Sequence, residues 1–275
     1  MQIISHIFRA YDIRGLVGKD FDNPWVERLG QACGTYFLQR QQRVAIVGYD
    51  CRPSSPDFHT ALVTGLLRTG VDVISIGMVP TPALYFAIKY LNKNAGIMIT
   101  ASHNPPMYNG FKIWSGATTL YGDALQDIKK IHDSENFVQG AGVASCHDIL
   151  PAYREAITSR TRLSRPIKVV VDGGNGSGGP TLVQTLTTLG AEVLPLYCEP
   201  DGTFPHHHPD PIVEANMRDL MAKVQQEGAE LGIGLDGDAD RLGIVDKHGR
   251  LLNGDELLAI FAHDLLDRQP QALIL

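Results

Sequence analysis

No two cysteines in this sequence lie close enough to act together. Cys33, Cys51, Cys146 and Cys198 are widely spaced, and none forms C-x-x-C. Neither a zinc site nor a redox pair is indicated, and the four read as reduced thiols of a reducing compartment. A signal peptide is also missing: the apolar run in MQIISHIFRAYDIRG is too short, and no basic residue precedes it. No run approaches the length of a membrane span. A cytoplasmic protein with no membrane partner is expected. Positive charge is not in excess, since 24 Lys and Arg against 30 Asp and Glu give a net −6. Nucleic-acid binding needs a basic face, so no nucleic-acid partner is expected. A phosphorylated substrate is not excluded, because a few local Arg and Lys can bind one inside an acidic protein. Asn175-Gly176-Ser177 matches the glycosylation pattern, but in a cytoplasmic protein that match is idle.

What is present is a large apolar fraction. Hydrophobic residues make up 44% of 275 positions, enough for two domains with real cores. Strand-like runs at 44–48, 71–76, 96–100 and 110–114 alternate with helical patterns at 57–69, 82–92 and about 122–133. A second series follows DILPAYREAITSR: a strand at 167–171, the turn Asp172-Gly173-Gly174-Asn175-Gly176, a helix at 180–189, then AEVLPLY. This alternation predicts an α/β fold, two related domains of mixed, mainly parallel sheet with helices on both faces. VAIVGYD…LLRTGVDVISIG and VVVDGGN…LTTLGAEVLPLY share one plan of strand, turn, helix, Gly, strand, which is the mark of an internal repeat. A third copy begins with a helix from Asn253-Gly254-Asp255-Glu256 to about Asp267, followed by QPQALIL as a strand. The expected division is 1–148, 149–250 and the truncated start of a third domain over 251–275.

Two motifs carry chemistry. In LGIGLDGDADRLGIV, Asp236, Asp238 and Asp240 fall at i, i+2 and i+4. In an extended backbone that spacing puts all three carboxylates on one side. Clustered carboxylates repel unless a cation sits among them, and all-oxygen ligands favour Mg²⁺ or Ca²⁺. An EF-hand fits badly, with Arg241 at its sixth position and Lys247 at its twelfth, so Mg²⁺ is expected. The bland alternative is a solvated acidic turn. The second motif is Thr100-Ala101-Ser102-His103-Asn104-Pro105, just past the end of a predicted strand, where open α/β sheets place ligand sites. A Ser-His hydrolase is a poor fit: there is no G-x-S-x-G elbow, and adjacent residues seldom pair as nucleophile and base. A serine that carries phosphate beside a metal fits better, with Arg14, Lys112 and Arg241 as cations to balance the charge.

FRAYDIRG, GMVPTP, TASHNPPMYNGFKI, VVVDGGNG, FPHHHPDP and DGDADR occur here in one order. Together they resemble the α-D-phosphohexomutase family, most closely its bacterial phosphomannomutase/phosphoglucomutase branch, from about Phe8 to Leu275. The resemblance implies a phosphoserine at Ser102, with Asp236, Asp238, Asp240 and a phosphoserine oxygen holding Mg²⁺. Phosphate would pass between Ser102 and hexose 1- or 6-phosphate (mannose or glucose) through a bisphosphorylated sugar. Glucose 1,6-bisphosphate or mannose 1,6-bisphosphate would be the activator. Lys112 resembles a general acid/base, which requires neighbouring positive charge to lower its pKa. Arg14 would stabilise phosphoryl charge, Arg241 would sit beside the phosphoserine, and His103 would support the site. The partners expected are small hexose phosphates, with the protein a monomer.

The resemblance further implies four domains, the third supplying sugar recognition and the fourth a distal phosphate clamp. This chain is therefore expected to be a fragment with little or no activity alone. Open alternatives are phosphoglucosamine mutase, a Mg²⁺-dependent phosphatase or phosphotransferase, and a non-enzymatic phosphosugar-binding module. DGGNGSGG lacks a clean G-x-G-x-x-G register and reads as a strand-to-helix turn. His206-His207-His208, fenced by Pro205 and Pro209, reads as an interdomain or surface loop rather than a metal site.

Overall fold

A computed structural model describes residues 7–274. The first unit runs β1 (Ile13–Leu16), α1 (Asn23–Gln39), β2 (Val44–Tyr49), α2 (Ser55–Arg68), β3 (Asp72–Met78), α3 (Thr81–Tyr90), β4 (Ala95–Ile99), β5 (Tyr108–Ser115), β6 (Thr118–Thr119), α4 (Asp123–Ser134) and β7 (Ala144–Cys146). Its strands are ordered β1-β5-β4-β2-β3-β7, with β6 paired to β5. The β4, β2, β3 and β7 ladders are parallel, and β5 pairs antiparallel to both β1 and β4. Continuous apolar runs such as VAIVGY suit central parallel strands, which are covered on both faces. Period-2 alternation divides them: Ala45 and Val47 pack with α1, α2 and α4, while Ile46 packs with α3.

The second unit runs α5 (Leu150–Thr158), β8 (Lys168–Asp172), α6 (Gly179–Thr188), β9 (Glu192–Leu196), α7 (Arg218–Glu227), β10 (Leu231–Leu235) and β11 (Leu242–Asp246). Its sheet is ordered β11-β10-β8-β9. Val170 and Val245 pack against Leu220 and Val224 of α7, and Val169 and Val171 face Leu182 and Leu186 of α6. Both units are thus mixed sheets with helices on both faces, as expected. The internal repeat is real: β2-α2-β3 and β8-α6-β9 are each a parallel pair joined by one helix. Each helix is followed by a glycine in the left-handed region, Gly70 at φ 91° and Gly190 at φ 89°, where a side chain would be strained.

Two expectations change. Residues 236–241 are not extended; they form a tight turn between β10 and β11, with Ala239 at φ 56°. The predicted C-terminal strand is also absent among the described residues: α8 (Gly254–Arg268) forms, but 271–274 join no ladder and adopt no strand. Leu275 lies outside the described residues. An apolar segment becomes a strand only when a neighbour completes its ladder. No helix among the described residues is long and apolar enough to cross a membrane.

Candidate functional site

Ser102 lies in the loop after β4, at the carboxyl end of the first sheet. It is 4% exposed and its backbone is left-handed at φ 53°. Its N–H donates to Thr100 Oγ1 at 2.9 Å, which fixes the turn. The Pro105 stop and the Ala101 carbonyl, which accepts from Asn104 N at 3.0 Å, keep the loop short. Its hydroxyl donates to Asp236 Oδ2 at 2.8 Å and accepts from Arg241 Nη2 at 2.8 Å. His103 Nδ1 is 3.5 Å from Ser102 Oγ and accepts from Arg241 Nη2. The serine proton therefore points to a carboxylate, not to the adjacent imidazole, in keeping with the rejection of a Ser-His hydrolase.

The carboxylate turn comes from the antiparallel β10–β11 hairpin. Asp236 Oδ1 caps it, accepting from Asp240 N at 3.0 Å and Arg241 N at 3.1 Å. This capping, rather than strand pleating, brings one oxygen of each of Asp236, Asp238 and Asp240 within 4.8 Å of one another. Asp236 and Asp238 are fully buried. Asp238 Oδ2 accepts from Thr81 Oγ1 at 2.6 Å and from Lys112 Nζ at 2.6 Å, and Asp240 Oδ2 accepts from Lys112 Nζ at 2.5 Å. Asp238 Oδ1 is buried with no hydrogen-bond partner. A buried carboxylate oxygen left unpaired is costly. Three converging carboxylates with a free buried oxygen fit a hard divalent cation.

Charge regulation follows from the same contacts. Burial raises the pKa of Asp236, and the neighbouring Asp238 and Asp240 add to this; Arg241 and the Ser102 hydroxyl oppose it without cancelling it. Burial acts to raise Asp238 too, but the Lys112 ammonium, with hydrogen bonds from Lys112 and Thr81 and a contribution from Asp236, holds that carboxyl below the ordinary range. Lys112 meets the aspartates as one of the expected charge-balancing cations, but the positive neighbours its acid/base role requires are not the ones beside it. Burial pulls its pKa down, but its neighbours are the negative Asp238 and Asp240, which carry it above the ordinary lysine value.

The structure brings Ser102, His103, Lys112, Arg241 and the three aspartates to one place. Arg14 also meets the serine loop: Nη1 donates to Asn104 Oδ1 at 2.6 Å, Nη2 pairs with Asp12, and its buried Nε has no partner. Asp210 Oδ1 lies 4.0 Å from Arg241 Nη1. Thr81, Asn104, Asp210 and the buried Arg52 escaped the sequence reading. Thr81, Asn104 and Asp210 carried a signal, since they lie within GMVPTP, TASHNP and FPHHHPDP; Arg52 lies in none of the quoted motifs.

The other sequence features are structural. The 172–178 turn packs against the carboxylate turn, where a Cβ on Gly176 would lie 2.7 Å from Gly237 O. His207 Nε2 pairs with Asp172 Oδ2 at 3.0 Å, and His206 stacks on Tyr197 with ring centroids 3.8 Å apart. Among the described residues, Asp236, Asp238 and Asp240 are the group with metal-binding geometry, and the histidines are not part of it.

The family profile "Phosphoglucomutase/phosphomannomutase, alpha/beta/alpha domain I" matches residues 5–139, and that of domain II matches 151–249. The chain is 44% identical over 271 residues to a phosphomannomutase/phosphoglucomutase of Pseudomonas aeruginosa, covering 98% of this chain and 58% of that protein. It is 42% identical over 275 residues to a phosphoglucomutase of Neisseria gonorrhoeae, covering 99% of this chain and 60% of that one. A crystal structure of a phosphoglucomutase/phosphomannomutase family protein from Burkholderia thailandensis superposes with a TM-score of 0.93 at 39% identity, over 98% of this chain and 60% of that one. The chain spans about three-fifths of the length of these relatives. By both matched domains, it belongs to the phosphoglucomutase/phosphomannomutase family.

Proposed function

We propose that this chain carries the phosphoryl-transfer half of a hexose phosphate mutase that interconverts the 1- and 6-phosphates of mannose or glucose. Ser102 is the phosphorylated residue. The observation that carries this reading is the meeting of Ser102 Oγ with Asp236 and Arg241, each at 2.8 Å, from loops of two different sheets. In this reading residues 1–148 bear the serine, 149–250 the carboxylates, and 251–275 begin a third unit. Its partners are hexose phosphates, and it acts as a cytoplasmic monomer.

Asp236, Asp238, Asp240 and the Ser102 oxygen would hold Mg²⁺. Bound there, Mg²⁺ neutralises phosphoryl charge that would otherwise oppose the three carboxylates. The chain's own residues account for the rest. In loading, Ser102 Oγ attacks a phosphorus of glucose 1,6-bisphosphate or mannose 1,6-bisphosphate, and the Oγ–P bond forms as the sugar O–P bond breaks. The serine proton leaves to Asp236 Oδ2, its hydrogen-bond acceptor. Lys112 would protonate the departing sugar oxygen. Asp238 and Asp240 hold its pKa above the ordinary lysine value, so this role requires that a cation take its place on those carboxylates and lower it. Transfer from phosphoserine to a sugar hydroxyl is the reverse of these events. Arg241, in contact with Ser102 Oγ and His103, supplies fixed positive charge for the phosphoryl oxygens. His103 is held by Arg241 at the edge of the loop. Arg14, buried beside Asn104, has a free Nε–H for a phosphoryl oxygen.

The mutase and phosphatase readings differ in the phosphoryl acceptor, a sugar hydroxyl in one and water in the other. The test is to incubate the chain with glucose 1,6-bisphosphate and Mg²⁺ and measure both products. The mutase reading predicts one hexose monophosphate per phosphorylated chain and no inorganic phosphate. Inorganic phosphate released with turnover would replace it with the phosphatase reading.

A further inference from the structure

Arg52 heads the fully buried side chains of the described residues by volume, at 1% exposure. A guanidinium is buried only where it is paired and hydrogen-bonded. It follows β2 as Ser102 follows β4, so the two residues stand at the same end of neighbouring strands. Every one of its nitrogens is used. Nε donates to Asp50 Oδ2 at 3.0 Å. Nη1 donates to Pro105 O at 2.7 Å and Tyr108 O at 3.0 Å. Nη2 donates to Ser102 O at 2.8 Å and Asn104 O at 2.6 Å. Five donors meet five acceptors, the full capacity of the group. Asp50 is fixed in turn by Ser55 Oγ, which donates to Oδ1 at 2.7 Å.

Four of the five acceptors are carbonyls of one segment, 102–108, which includes the serine. That segment has no ladder across its first half, and buried carbonyls need donors. One planar side chain supplies them. Ser102 is also held at φ 53°, a conformation a serine keeps only when its surroundings impose it. The same guanidinium lies over the Phe204 ring, 5.2 Å from its centroid. Gly202 approaches so closely that a Cβ there would lie 2.5 Å from Arg52 Cα. Ser102 O, the acceptor of Nη2, faces the carboxylate turn, where a Cβ on Gly237 would lie 2.6 Å from it. Arg52 therefore touches both the serine loop and the segment after β9 in the second unit.

We propose that Arg52 is a positioning residue for phosphoryl transfer: it ties four carbonyls of the serine loop to one rigid plane and so sets where Ser102 Oγ stands relative to Asp236 and Arg241. The proposal rests on the reading of Ser102 as the phosphorylated residue. Lysine cannot substitute, because its three donors radiate from one point and cannot span four carbonyls. A displacement of about 1 Å at a reacting atom costs on the order of 10²-fold in rate.

The test compares the wild-type chain with Arg52→Lys. Mg²⁺ affinity is measured by titration, and phosphorylation of Ser102 by quenched-flow mapping with glucose 1,6-bisphosphate. The expected result is a Mg²⁺ Kd within about threefold of wild type and a Ser102 phosphorylation rate lower by about 10²-fold or more. A variant with a lowered melting temperature but a wild-type rate, assayed well below its transition, makes Arg52 merely structural and overturns the proposal. Should Arg52→Lys not fold, the wild type decides through ¹⁵N-resolved NMR of the Arg52 side chain. Four separate, slowly exchanging Hη signals support the fan of hydrogen bonds; one averaged, fast-exchanging signal overturns it. A wild type that takes no phosphate on Ser102 contradicts the phosphoserine reading instead, and the same NMR measurement still decides whether Arg52 holds the loop.

Discussion

Ser102 donates its hydroxyl hydrogen to Asp236 Oδ2 at 2.8 Å across 134 residues of sequence. The contact joins the loop after β4 to the turn after β10, so the site exists only where the two sheets meet. Ser102→Ala removes the proposed nucleophile and leaves the carboxylates. Its expected phosphate uptake is nil, with Mg²⁺ affinity within about tenfold of wild type, since three of four oxygen ligands remain. Phosphopeptide mapping and Mg²⁺ titration check the two halves separately.

The meeting of the two turns also depends on Gly237. A Cβ there would lie 2.6 Å from Ser102 O. Gly237→Ala should keep both sheets, by far-ultraviolet circular dichroism, and push the carboxylate turn off the serine loop. Phosphorylation of Ser102 should slow by about 10²-fold. An unchanged rate would mean that the contact does not set the geometry.

Lys112 and a divalent cation seek the same carboxylates. Its ammonium holds Asp238 Oδ2 at 2.6 Å and Asp240 Oδ2 at 2.5 Å. Removing a cation at this distance should tighten Mg²⁺ binding, so Lys112→Met should bind Mg²⁺ about tenfold more tightly while phosphorylating Ser102 more slowly. Weaker binding in calorimetric titration would contradict the competition.

His207 carries a pH-dependent part of the stability. Its Nε2 faces Asp172 Oδ2 at 3.0 Å and its Nδ1 faces His208 O at 3.0 Å, so both nitrogens meet acceptors and the ring is best satisfied as a cation. Burial pulls its pKa down, but Asp172, with smaller help from the His208 carbonyl and Asp219, raises it above the ordinary value. A folded pKa above the unfolded one gives stability that is full below about pH 6.5 and lost as pH rises through the folded value. The difference in melting temperature between wild type and His207→Gln should therefore shrink from pH 6 to pH 9. A constant difference would show that the pair contributes no charge.

The α/β alternation was legible because buried parallel strands are written as apolar runs, and VAIVGY and VDVISI need no context to be read. Helix α1 carried a signal that went unused: Val26, Leu29, Gly30, Cys33 and Phe37 fall on one buried face, and Glu27, Arg28 and Gln31 on the other. Helix α7 also carried a signal, with Leu220 and Val224 four apart, that went unused. The three aspartates were found by spacing, but their convergence was attributed to the wrong backbone, since a left-handed Ala239 cannot be read from composition. Lys112 was counted among the cations that balance the aspartates, as its hydrogen bonds to residues 126 and 128 positions away show it to be. Its lack of positive neighbours was not legible, because it depends on which of the distant charges stand beside it. Arg52 was invisible because sequence alone gives an arginine no reason to be buried.

The central claim is that Ser102 accepts phosphate in the setting of these carboxylates. The direct measurement is intact mass and peptide mapping of the purified chain before and after incubation with glucose 1,6-bisphosphate and Mg²⁺. The account predicts one added phosphate, mapped to Ser102, and none in Ser102→Ala. Phosphate mapped to another residue, or an unmodified Ser102 in the folded wild type, would contradict it.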